Sequence, residues 1–266
     1  MTAAAHVAFS NVRMGFGARE VFRSVSCRFP AGRLSVILGG SGSGKSTMLR
    51  LIGGLLQPLE GAVTVDGTDV TALPERRLYD VRRKLGMMFQ GGALLDSLTV
   101  FDNLALPLRE HSSLGEPEIA DLVHRRLGAV GLSDVDDLLP GQLSGGMVKR
   151  VAVARAIMME PVILLCDEPF SGLDPISARR IERLLVGINR DLGITVVLVS
   201  HAIASTLRIA DHVLILLPDG IVEGSPADLK DHPDPRVAAF LGEEPPDEAG
   251  GPVADVEMPP AAGTRW

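Results

Sequence analysis

The chain has 266 residues, 46% of them hydrophobic, with a net charge of −7 and two cysteines. That is enough for one large core, or a core with a smaller helical lobe, and it excludes a disulfide framework. The longest unbroken apolar runs are too short to span a bilayer, and the start lacks the charged-then-apolar pattern of a secretory signal, so the expected compartment is the reducing cytoplasm. From Glu243 onward the chain carries six acids and one base, which is −5 of the net charge. The body is therefore near neutral, which argues against a nucleic-acid binder.

In chain order, short β-rich segments come first, at His6–Val12 and Ser26–Phe29. Leu34–Leu38 reads as a buried strand, and Met48–Ile52 continues as helix, with Gln57-Pro58 as the stop signal. Ala62–Val65 and the turn pair Asp66-Gly67 complete an antiparallel layer. Between about Gly91 and Leu143 the pattern becomes helical, with break signals at Pro107, Gly115, Pro117, Gly131 and Pro140. Strands resume at Val162–Cys166, Thr195–Ser200 and Val213–Leu217, separated by helices near Ser177–Asp191 and Ala202–Ala210. That alternation predicts an α/β fold with a mainly parallel sheet. The expected division is a domain over 1–242, with a helical subdomain at about 91–145, and an acidic Pro/Ala/Gly-rich tail over 243–266 too poor in large apolar groups to order itself. Trp266, the one tryptophan, reads as an unstructured end, with docking on a partner as the alternative.

The strongest chemical signal is Gly39-Gly40-Ser41-Gly42-Ser43-Gly44-Lys45-Ser46-Thr47, which fits G-x-x-x-x-G-K-[ST] between a strand and a helix. Backbone N–H groups there curl around phosphate oxygens at a helix N-terminus, Lys45 reaches the β and γ phosphates, and the Ser46 hydroxyl ligates magnesium. Val162–Glu168 is an apolar strand ending in two carboxylates. Asp167 would hold magnesium through its water shell, and Glu168 would orient or deprotonate the attacking water. Ser144, Gly145 and Gly146 open the helical run Val148–Met159 as a second anion-binding start. A nucleoside triphosphate and Mg2+ are thus the expected ligands. Cys166, inside its strand, reads as a small hydrophobe.

Taken together and in order, these motifs resemble the ATP-binding cassette family over about residues 6–242. The resemblance implies a P-loop NTPase cassette fold, with Phe16 as the aromatic on adenine and Gln90 as the Q-loop glutamine. It makes Ser144–Met147 the signature, Ser171-Gly172-Leu173-Asp174 the D-loop and His201 the switch histidine. Gln90 would contact magnesium or the lytic water, and His201 the γ-phosphate. It also implies a head-to-tail homodimer in which the P-loop of one copy and the signature of the other clamp one ATP. Met147 stands where the wider family most often has Gln.

The stretch Phe89–Asn103 followed by Pro107–His111, together with Pro233–Val237 and Phe240-Leu241, closely resembles the ATPase of Mla-type phospholipid transport, related to Mce-associated cassettes. In that subgroup Met at the fifth signature position is usual. The implied assembly is an inner-membrane complex of two ATPase copies, a permease, an Mce-domain lipid-binding protein and often a STAS-domain protein, with this chain peripheral on the cytoplasmic face. Cassettes for lipoprotein release or small-solute import are the alternative. A DNA-repair or translation ATPase would need two cassettes or a long insertion in one chain. The basic run Arg76, Arg77, Arg82, Arg83 and Lys84 around Tyr79 reads as a solvated helix face, with anionic headgroups or permease loops as the other reading. His6, His111, His124, His212 and His232 have no metal-ligand spacing.

Overall fold

The computed structural model describes residues 5–242, so the expectations for the acidic tail and Trp266 lie outside the described residues. Two long strands open it, β1 (Ala5–Phe16) and β2 (Arg19–Pro30), paired antiparallel. Strand β3 (Leu34–Gly39) then enters the interior and leads into helix α1 (Lys45–Ile52). Gly53 and Gly54 turn the chain directly after Ile52, and the Leu55 N–H donates to the Arg50 carbonyl. The glycine pair therefore ends this helix before Gln57-Pro58 is reached. Strands β4 (Glu60–Val65) and β5 (Thr68–Asp69) form a hairpin through Asp66 and Gly67, both at positive φ as the two-residue turn requires. Helix α2 (Glu75–Arg82) and strand β6 (Leu85–Met88) follow.

The helical stretch contains α3 (Val100–His111), α4 (Glu116–Ala129) and α5 (Gly145–Ala156). Pro107 does not break α3, contrary to the expectation. It lacks the N–H that would bond the Asn103 carbonyl, but Leu104, Ala105 and Leu108 are buried in the lobe core on either side, and that packing carries the helix through. Beyond α5 come β7 (Ile163–Asp167), α6 (Pro175–Leu192), β8 (Thr195–Val199), α7 (Ile203–Ile209), β9 (His212–Leu217), β10 (Gly220–Gly224), α8 (Pro226–Lys230) and α9 (Pro235–Leu241).

Strands β2-β1-β4-β5 make an antiparallel sheet, and β10-β9-β3-β8-β7-β6 a second sheet that is parallel except for β10. Every residue of β3, β7 and β8 is buried, which is why these strands are mostly apolar, with Ser35, Asp167 and Thr195 as the polar members. Alternate side chains serve opposite faces. Ile37, Leu165 and Val197 meet α1 and the antiparallel sheet, while Val36, Leu164 and Leu198 meet α6. Ile37 and Asp167 both pair with Val199, so the three lie in one row across the sheet. Helix α5 and the turn that ends it are apolar on two sides because they bridge two cores: Val151, Ala154 and Met158 face the lobe, and Ala152, Val153 and Ile157 the sheet.

One buried polar side chain fixes the lobe. Asn103 is fully buried; its amide donates to the Leu95, Leu98 and Thr99 carbonyls at 3.1, 3.1 and 2.9 Å, and its Oδ1 accepts from the Leu95 N–H at 2.8 Å. Asn103→Ala leaves the Leu95 N–H and the Leu98 carbonyl without a partner, while the Leu95 and Thr99 carbonyls keep the Leu98 and Asn103 N–H groups, and it should lower the unfolding free energy by about 3 kcal/mol in urea titration.

Candidate nucleotide site

The glycine-rich loop is shaped by what surrounds it. Gly44 sits at φ 100°, and a Cβ there would stand 2.5 Å from Val21 Cγ1 and 2.7 Å from Phe22 Cε1, so β2 closes the loop from behind. A Cβ on Gly39 would fall 2.6 Å from Ser43 Oγ. These positions accept only glycine. Lys45 begins α1, and its ammonium donates to the Gly39 and Gly40 carbonyls at 2.9 Å each, drawing the loop around itself. Burial pushes its pKa down, against the opposing influence of Glu168 and then Asp167. The next residue, Ser46, donates through Oγ to Asp167 Oδ1 at 3.0 Å. The last residue of β7 is thereby joined to the first turn of α1.

Glu168 follows Asp167 at φ 50°, a left-handed conformation that costs a non-glycine residue ~1–3 kcal/mol. Its N–H donates to the Val199 carbonyl at 3.0 Å, and its Oε2 accepts from the His201 N–H at 3.3 Å. His201 Nε2 lies 3.3 Å from Glu168 Oε1, yet that buried oxygen has no aligned hydrogen-bond donor. Desolvation raises the Glu168 pKa above the ordinary carboxylate value, opposed chiefly by His201. An under-satisfied, partly desolvated carboxylate aimed at a cleft is suited to take a hydrogen bond from water.

That cleft has a volume of roughly 390 Å3, and its walls include Phe16, Gly42, the run from Gly44 to Thr47, Gln90, Glu168 and His201. Phe16, at the end of β1, is 48% exposed. Arg19, absent from the sequence reading, lines the same cleft and donates to the Gly42 carbonyl at 3.1 Å. A single arginine beside a turn carries no sequence signal.

Ser144, Gly145, Gly146 and Asp174 do not line this cleft. Ser144 caps α5, accepting from the Met147 N–H at 3.3 Å, and Asp174 caps α6, accepting from the Ile176 and Ser177 N–H groups at 2.9 and 3.0 Å. The Asp174 pKa is lowered, mainly by Ser177. Gly146 packs against Ser177, where a Cβ would lie 3.2 Å from Oγ. The two helix starts thus abut each other, and within one chain the glycine-rich loop and the Ser144 start belong to different surfaces. Met147 packs its side chain on the lobe core.

The family model described as ABC transporter matches residues 22–171. The intermembrane phospholipid transport system ATP-binding protein MlaF of Escherichia coli (strain K12) is 46% identical over 226 residues, covering 85% of this chain and 84% of that protein. The probable ribonucleotide transport ATP-binding protein mkl of Mycobacterium tuberculosis (strain ATCC 25618 / H37Rv) is 40% identical over 85% of this chain and 63% of its own length. Among solved structures, the dimeric post-hydrolysis state of the ATP-binding cassette MJ0796 bound to ADP and Pi superposes with a TM-score of 0.77, at 33% identity, over 83% of this chain and 98% of that one. With its glycine-rich loop, paired carboxylates and Ser144 helix start in the order of that family, the chain belongs to the ABC transporter family.

Proposed function

We propose that the chain is the ATP-hydrolysing subunit of an inner-membrane complex that moves phospholipid between inner and outer membranes. Hydrolysis is carried by one observation: Ser46, which holds Asp167 behind it, and the Glu168–His201 pair line a single cleft beside the glycine-rich loop. The loop amides of Gly39 to Thr47 and the Lys45 ammonium bind the phosphates, and Phe16 stacks on adenine. Glu168 orients the attacking water and takes its proton, Gln90 helps to place that water, and His201 holds the γ-phosphate.

Ser46 and Asp167 would hold Mg2+, with Gln90 nearby. Hydroxyl and carboxylate oxygens are the hard donors this ion takes, and the buried Asp167 carboxylate already faces Ser46 Oγ. Bound there, the ion supplies neutralisation of phosphate charge.

The head-to-tail homodimer gives Ser144, Gly145, Gly146 and Asp174 their task, facing the nucleotide of the other copy. The phospholipid cargo is supported by the MlaF similarity along most of both chains. The partners follow from it: a permease, an Mce-domain protein and a STAS-domain protein, with this chain peripheral on the cytoplasmic face. No helix among the described residues is long and apolar enough to cross a membrane. Of the basic run, Arg82, Arg83 and Lys84 hold the Gly54 carbonyl, the His111 carbonyl and Asp66, which leaves Arg76 and Arg77 to meet headgroups or permease loops.

Mass spectrometry of protein and lipid co-purifying from native membranes in mild detergent tests this. A permease and an Mce-domain protein with bound phospholipid are expected. A different permease without a lipid-binding subunit, or bound ribonucleotide cargo as the mkl name describes, would discard the cargo and keep the ATPase.

A further inference from the structure

The second turn of α5 holds Lys149, a lysine only 6% exposed in a helix otherwise packed between two cores. A buried ammonium must find acceptors for its three protons. Lys149 Nζ reaches three acceptors on two segments that are far apart in sequence: it donates to the Gln90 carbonyl, and, in the turn after β7, to the Glu168 carbonyl at 3.2 Å and to Ser171 Oγ at 3.2 Å. Burial lowers its pKa, while Glu168, Asp167 and Cys166 favour the charged form.

The Glu168 carbonyl is the focus of this arrangement. Besides Lys149 it accepts from the Ser171 N–H at 3.2 Å and the Ser171 hydroxyl at 3.0 Å. Three donors thus converge on the peptide oxygen of a residue in the left-handed region. That peptide plane sets the direction in which the Glu168 carboxylate leaves the backbone. On the other side of the Gln90 loop, Arg155 of the same helix donates to the Gly92 and Ala93 carbonyls at 3.0 and 2.8 Å. Helix α5 therefore grips the loop at both ends, and through Lys149 also grips the end of β7.

We infer that Lys149 is a positioning residue for hydrolysis. It ties the Glu168 peptide and the Gln90 peptide to the helix that starts at Ser144, so that the water-orienting carboxylate and the glutamine take up their working directions together with that helix. The inference rests on the role given above to Glu168. It explains why a cation is buried where an apolar side chain would pack: only a multi-proton donor reaches three acceptors from one point. Displacing a catalytic group by about 1 Å costs on the order of a hundredfold in rate, whereas nucleotide binding uses none of the Lys149 contacts.

The test uses the full chain and ATP turnover. Lys149→Met keeps the stem and removes the donors; it should lower kcat at least twentyfold, leave KM for ATP within threefold and keep the melting temperature within a few degrees. Lys149→Gln, which returns two N–H donors, should recover at least a third of the parental kcat. The proposal is overturned if Lys149→Met turns over within threefold of the parent, if Lys149→Gln is no better than Lys149→Met, or if melting temperature or ATP affinity collapses along with turnover, which would make the lysine structural. Glu168→Gln run in parallel separates the two readings. Retained turnover there removes the role of Glu168 itself; a dead Glu168→Gln beside an active Lys149→Met removes only that of Lys149.

Discussion

Glu168→Gln should lower ATP turnover at least a hundredfold while nucleotide remains bound, because the substitution keeps the shape of the side chain and removes its basicity. General-base catalysis contributes ~10²–10⁴-fold, and among the residues lining the cleft Glu168 is the one carboxylate. Its backbone is already held at φ 50° and its Oε2 by the His201 N–H, so the amide should sit in the same place. ATP-loaded protein should then accumulate as a dimer visible by size exclusion. The pH dependence has a definite sign. Burial raises the Glu168 pKa, so the acid limb of the parental rate profile should lie above the ordinary carboxylate range and be lost as pH falls through it. Phosphate release by the variant within a few-fold of the parent would remove the base role.

Lys45→Ala acts on binding. A hydrogen bond to a charged group contributes ~1.5–3 kcal/mol, so ATP affinity should fall about 10- to 100-fold in titration with a fluorescent ATP analogue. The lysine has a second duty that a purely electrostatic picture misses: it holds the Gly39 and Gly40 carbonyls, and alanine releases both. Lys45→Arg should therefore fail to restore affinity, because the longer planar fork does not fit a loop already closed against Val21 and Phe22. Unchanged affinity in Lys45→Ala would take the lysine out of the site.

The cleft was legible in sequence to the extent that its parts are contiguous strings. The glycine loop, the strand ending in Asp167 and Glu168, and the strand end before His201 announce themselves because fully buried parallel strands are mostly apolar, and polar residues then stand out at their ends. Strand β6 was missed because four residues behind a basic run carry no period. Helix α5 began three residues earlier than its apolar pattern suggested, at the glycines that Ser144 caps. Pro107 misled because a local rule was overridden by burial on both sides of it. Lys149 had one available signal, a charge set inside a helix that is otherwise apolar toward two neighbours. What it touches depends on the Gln90 loop and the Glu168–Ser171 turn meeting in space, which spacing along the chain does not encode.

The row of Ile37, Val199 and Asp167 across three neighbouring strands has a consequence for tolerance to change. The sheet acts as a gauge block: the height of Asp167 relative to the glycine loop is set by ladder hydrogen bonds, in steps of one residue. A slip of one step would move the carboxylate ~3.3 Å and turn it to the opposite face, so intermediate misplacements have no stable seat. The exposed turns that join these strands, such as the one between α6 and β8, can lengthen, shorten or breathe without altering the 3.0 Å separation of Ser46 and Asp167. Drift in those connections and accuracy at the phosphate end are thereby decoupled in this chain.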